Sequence, residues 1–185
     1  MAHQLPERYV LSQTDVELVE VRYDAMLRGI SGTCRTGCSS TSVVLGLEAS
    51  ATDDAYNGLV LWVTGGTGKG QWATITDYTG ASRAAAVAAM VTTLDTTSTY
   101  RVTEKLTGTP TIVDTATTSE LTLGSKLVGT EPAEILGDVI PPGLWLSFTV
   151  TGQQAAKSYT VRITCATNGT TARTKAFDFC FEVAS

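Results

Sequence analysis

Histidine is almost absent from this 185-residue chain: His3, near its start, is the only one. No Ser–His–Asp or Cys–His set can be assembled, which removes most acid–base and metal chemistry that depends on imidazole. Charge is scarce as well. Asp, Glu, Lys and Arg make up 17%, against roughly 25% in an average soluble domain. A net charge of −5 and a pI near 4.8 argue against a protein that grips nucleic-acid phosphates, which calls for a basic surface. No apolar run approaches the roughly 18–20 residues of a membrane-spanning helix. Met1 to Val10 lack a basic segment followed by an apolar one, so no secretory signal is read there.

Cysteine is present but poorly arranged for metal. Cys34 and Cys38 are close, whereas Cys165 and Cys180 lie far along the chain and well apart. Zinc sites generally use two close pairs, often with His. Small buried hydrophobes or free thiols are the simpler reading, and a disulfide framework lacks a secretory context. In strand periodicity Cys165 shares a face with Tyr159, Val161 and Ile163, and Cys180 shares one with Asp178 and Glu182. One points inward and the other outward, so no bond between them is expected.

Threonine and glycine fill the space that charge leaves, at 32 and 17 residues. Thr suits a pleated, half-buried surface and Gly supplies tight turns. With 43% hydrophobic residues and a mean hydropathy of +0.10, the chain can bury a core in one or two small domains. The expected fold class is mainly β: a short N-terminal helix and a small antiparallel β-barrel or roll, followed by an Ig-like β-sandwich. Residues 1–29 read as an arm and helix, 30–105 as the barrel or roll, 106–126 as a Thr-rich connection, and 127–185 as the sandwich.

Residues 14–28 are the one good helix candidate. Thr14 and Glu17 fit a capping box, Glu20, Asp24 and Arg28 continue a polar face, and Gly29 is a stop. Val19, Val21 and Tyr23 also alternate with Glu20, Arg22 and Asp24 as a strand would; helix is preferred. Strands are expected at Ser42–Leu47, Leu59–Thr64, Gln71–Tyr78, Ala84–Val91 and Thr99–Glu104, separated by Asn57-Gly58, the Gly65–Gly70 loop and Gly80. Beyond the connection come Leu144–Thr151, Lys157–Cys165 and Arg173–Val183, the last two joined across Asn168-Gly169, a hairpin signal.

Several motifs invite chemistry and do not sustain it. Gly68-Lys69 resembles part of a phosphate loop, but Val63 stands where the first Gly belongs, Gly70 where Ser or Thr belongs, and strands flank it. Asp53, Asp54 and Asn57 offer too few oxygens for a hard cation, and an acidic turn is the simpler reading. Asn168-Gly169-Thr170 is a glycosylation sequon without a secretory context. Trp62, Trp72 and Trp145 are candidates for a stacking surface, although core packing explains Trp62 and Trp72 as well.

Asp53-Asp54-Ala-Tyr56-Asn57-Gly58, then Gly68-Lys-Gly70-Gln71 and Ile75-Thr76-Asp-Tyr78, resembles a module of tailed-bacteriophage virion proteins. In that module an acidic-Tyr-Asn-Gly turn leads into a strand, a Gly-rich loop and a second strand; Trp72 departs from its small or basic residue. From about Pro142 the chain is similar to the small β-sandwich of phage fibre–tail adaptor proteins. The similarity rests on Gly143-Leu144, Thr151-Gly152, Ala155, Tyr159, Val161, Arg162, Thr167, Arg173, Phe177 and Val183. Together the two stretches cover a little over half of the chain.

The resemblance implies a structural virion protein, either a neck or tail-fibre adaptor or a capsid decoration (cement) protein, located in the particle and assembled in the bacterial cytoplasm. Neither family carries a catalytic set, and no enzyme, cofactor or metal is expected. The implied partners are capsid, portal, neck, tail or fibre proteins and further copies of the chain, with a trimer preferred; neither nucleic acid nor membrane is expected. Leu5, Tyr9, Val10 and Leu11 are candidates for an arm that orders on docking. The alternative is a carbohydrate-binding module that recognises a host receptor through Trp62, Trp72 or Trp145.

Overall fold

The computed structural model of the protein describes residues 9–11, 17–22, 27–114, 121–151, 158–169 and 174–183. The fold is mainly β, and no helix occurs among these residues. Two strands open the chain, β1 (Tyr9–Leu11) and β2 (Glu17–Arg22). Six more follow: β3 (Gly29–Thr33), β4 (Ser42–Val44), β5 (Val60–Gly65), β6 (Trp72–Thr79), β7 (Ala84–Val87) and β8 (Thr99–Thr103). These six build a curled antiparallel sheet in the order β3-β8-β5-β6-β7-β4. Beyond the end of β3 the chain meets the other outer strand, where Arg35 N donates to Val44 O at 2.9 Å. That bond shields backbone groups that an open edge would expose.

The second half supplies β9 (Leu106–Asp114), β10 (Thr122–Val128), β11 (Ala133–Ile135), β12 (Asp138–Ile140), β13 (Trp145–Thr151), β14 (Ser158–Thr167) and β15 (Thr174–Val183). One sheet runs β1-β15-β14-β9 and another β10-β13-β2, while β11 and β12 form a separate hairpin. The inward faces expected from alternation are buried: Leu144, Leu146, Phe148 and Val150 on one side, Tyr159, Val161, Ile163 and Cys165 on the other. Cys165 is a free thiol opposite Lys175, and Cys180 is opposite Thr160, so the ladder itself keeps the two cysteines apart.

Three expectations change. Within 14–28, residues Glu17–Arg22 form a strand rather than a helix. Each lies opposite a residue of β13, from Val150 to Trp145, so the alternating pattern prevails over the capping box; 12–16 and 23–26 lie outside the described residues. The Thr-rich stretch 106–126 is no connection, because it contributes β9 and β10 to the two sheets. Gly29 does not stop a helix but begins β3.

Two apolar cores result, and β5 separates them. The uninterrupted run Leu59-Val-Leu-Trp-Val63 is what a strand buried on both faces looks like. Leu59, Leu61 and Val63 enter the core of the curled sheet with Tyr78 and Tyr100. Val60 and Trp62 enter the other core with Leu27, Phe148 and Ile163. The curled sheet therefore supplies one wall of the second core.

Candidate functional site

The turn from Ser50 to Gly58 is locked onto Tyr78 and Gly80 at the far end of β6. Asp54 takes a left-handed conformation (φ 61°), which Asp tolerates better than most residues. Its carboxylate accepts from Asn57 Nδ2 at 2.7 Å. Asp53 Oδ1 accepts from Gly80 N at 2.8 Å, and a Cβ on Gly80 would lie 2.3 Å from the backbone of Ala51. Tyr78, fully buried, donates to Ser50 O at 2.5 Å, while Ser50 N donates to the hydroxyl of Tyr56 at 2.8 Å. The two tyrosine rings meet edge to face, 4.7 Å apart. Burial pushes the Tyr78 hydroxyl above its ordinary pKa. Asp53 and Asp54 are thus engaged with backbone and amide partners, not gathered around a cation; among the described residues, no group of three or more His, Cys, Asp or Glu is placed to hold a metal ion.

The glycine loop that follows is closed to phosphate by its own bonds. Lys69 N, Gly70 N and Gln71 N donate to Gly66 O, Val63 O and Gly68 O. Thr67 is tied to the 95–98 turn: its hydroxyl donates to Asp95 Oδ2 at 2.8 Å, and its carbonyl accepts from Ser98 Oγ at 2.7 Å. Hydrogen bonds from Thr97 and Thr67 hold the Asp95 carboxyl below its usual range. Gln71 brackets the backbone of one residue, accepting from Thr92 N at 2.8 Å and donating to Thr92 O at 3.2 Å. Lys69 reaches across to Asp138 at 3.1 Å, where Arg22 also binds at 2.9 Å. Arg22 in turn lies over the Trp62 ring, 5.0 Å from its centre. This ionic clasp joins β2, the glycine loop and β12, and sequence reasoning missed it because its members are widely separated in the chain.

The three tryptophans have different fates. Trp62 is 3% exposed and cannot serve as a stacking platform. Trp145 is half-buried; its Nε1 donates to Glu131 O at 2.9 Å, and its ring occupies the space in front of Gly129, where a Cβ would lie 2.0 Å from Cε2. Trp72, opposite Trp62 in the ladder, is 36% exposed. It lines a cleft of about 450 Å³ between β5–β6 and the loops around Lys105, Thr130 and Pro142. Comparison with protein families, with curated proteins and with solved structures finds no match to this chain.

Of the arm residues, Tyr9, Val10 and Leu11 form β1, parallel to Phe181–Val183 of the same chain, and Leu5 lies outside the described residues, as does His3. Asn168 does not simply turn a hairpin. Its Oδ1 accepts from Lys105 N and its Nδ2 donates to Gly58 O, both at 2.8 Å, so the sequon's amide bridges the two halves of the chain. Cys38 Sγ donates to Arg35 O and accepts from Val44 N, both at 3.3 Å, while Cys34 is buried. Burial first, and the neighbouring Cys38 second, push the Cys34 thiol up to about 12.

Proposed function

We propose that this chain is a structural protein of a tailed-bacteriophage particle, a neck or tail-fibre adaptor or a capsid decoration protein that acts by binding and not by catalysis. The observation that carries the reading is the Ser50–Gly58 turn with the glycine loop and β6 that follow it. Asp53, Asp54, Tyr56, Asn57, Gln71 and Tyr78, the residues by which it resembles a virion module, are all engaged in holding the fold. A segment built this way serves as a scaffold. Exposed apolar side chains supply surface for partners: Val91 at 96%, Leu47 at 71% and Leu136 at 64%. Symmetric self-association, with a trimer as the first expectation, would cover such surface. In this reading the two C-terminal sheets are an Ig-like sandwich and the curled sheet a small barrel, both located in the virion.

Complementation tests the proposal. Particles grown from a genome lacking the gene should be defective, and the purified chain should rebind them saturably. Unimpaired particles that bind none of the added protein would contradict the proposal. Native mass spectrometry of the purified chain should show a discrete oligomer, and a monomer at every concentration would remove the self-association part.

A further inference from the structure

We propose that the cleft in front of Trp72 is a saccharide site, with one pyranose ring stacked on the indole. Trp62 and Trp72 are directly opposite on β5 and β6 and so project from the same face of the sheet. One is sealed in the core and the other is 36% exposed, because the cleft opens in front of Trp72. Its volume of about 450 Å³ is in the range of small-molecule sites.

The lining chemistry selects the ligand class. Thr74, Thr107, Thr130 and Lys105 line the cleft together with the indole, and among the described residues none of these four side chains has a hydrogen-bond partner. The stem of Lys105 lies against Gly143, where a Cβ would come within 2.8 Å of it, so the bare glycine (φ 77°) leaves room for the lysine beside the cleft. A wholly apolar ligand would desolvate four polar groups and pair none of them. A phosphate would find a single cation on a chain of net charge −5. A sugar has what both surfaces ask for: an apolar C–H face for the ring and an edge of hydroxyls for the threonines and the lysine. Lys105 further favours a sugar acid over its neutral counterpart. This inference is independent of the particle reading, and either can fail alone.

Saturation-transfer NMR on the full chain tests it, with methyl glycosides of glucose, galactose, mannose, N-acetylglucosamine and glucuronic acid as probes. Binding of at least one in the millimolar range is expected, with transfer strongest at ring C–H protons. Trp72→Ala should weaken it about tenfold or more, and Trp72→Phe less. Lys105→Met should weaken the glucuronide more than the glucoside. Thr130→Val and Lys105→Met, at the rim, carry the test if Trp72→Ala fails to fold. No transfer from any probe, or transfer unchanged in the variants that fold, overturns the inference.

Discussion

Leu61 and Trp62 are neighbours on β5 and belong to different cores. Successive side chains on a strand point to opposite faces, so one residue step carries the chain from the interior of the curled sheet to the interior of the second half. A single strand is therefore a structural member of both. The two halves should unfold together, because neither keeps its core without β5. Leu61→Ala should cost about 2–5 kcal/mol and Trp62→Ala about 3–5 kcal/mol. In both variants, circular dichroism and tryptophan fluorescence should report one coincident urea transition; two separated transitions would show that the cores are independent.

Asp138 bonds Lys69 and Arg22, and those two bonds, Lys69 first, hold its carboxyl below the usual carboxylate range. A lowered folded-state pKa contributes stability that is complete above the ordinary value and lost as pH falls through the lower one. The three side chains are part-exposed, so screening limits the effect to about 1 kcal/mol for Asp138→Asn. The variant should lose less stability than the parent on acidification, and molar salt should narrow the gap between them.

The thiol of Cys34, raised to about 12, stays protonated at neutral pH and should resist alkylation while the part-exposed Cys38 reacts. The sign for stability is opposite to that of Asp138. A raised folded-state pKa contributes stability that is complete below the ordinary thiol value and lost as pH rises through the folded value. Tyr100 acts in the same direction: burial, and its hydrogen bond to the Glu48 carboxylate, push its hydroxyl up. Alkaline denaturation should thus begin near the ordinary thiol pKa and be delayed in Cys34→Ala.

Asp53 and Asp54 look alike in sequence and should respond differently. Asp53→Ala leaves Gly80 N without its acceptor and should cost about 1–2 kcal/mol. Asp54→Asn keeps an oxygen for Asn57 and a residue that tolerates positive φ, so thermal stability should change by less than about 0.5 kcal/mol. Equal losses at both positions would contradict the turn described above.

Leu136 and Gly137 form the two-residue turn between β11 and β12, with φ of 55° and 78°. Both values are positive, as a type I′ turn demands, yet Asn is the residue that suits the first position. Leucine there is strained, and it is also exposed. Leu136→Asn should raise stability by about 1 kcal/mol. If the strain serves docking, rebinding to particles should fall at the same time.

Where alternation was clean, the sequence was readable. Leu144 to Val150 and Tyr159 to Cys165 show their buried faces directly, and the apolar run at Leu59–Val63 marks a strand. Where a partner decides, it was not. Glu17–Arg22 fits both periods, and only β13 chooses between them. In β9 the ladder steps from Thr111 to Thr107 while β14 advances only from Thr164 to Ala166. The extra residues include Gly108 at φ 74°, which is exposed between the buried Leu106 and Pro110 and so interrupts the alternation. The β11–β12 hairpin turns on Leu-Gly rather than Asn-Gly, and so carried no signal. The cleft at Trp72 is assembled from separate segments that run from Val60 to Gly143, which no local pattern records.

Copy number in the particle tests the central claim most directly. Quantitative mass spectrometry of gradient-purified particles, made from the genome that encodes this chain, should find it at a fixed ratio to the portal or the major capsid protein. A ratio that tracks the portal marks an adaptor or fibre part, and one that approaches the capsid protein marks a decoration protein. Absence of the chain from the particle would contradict the account.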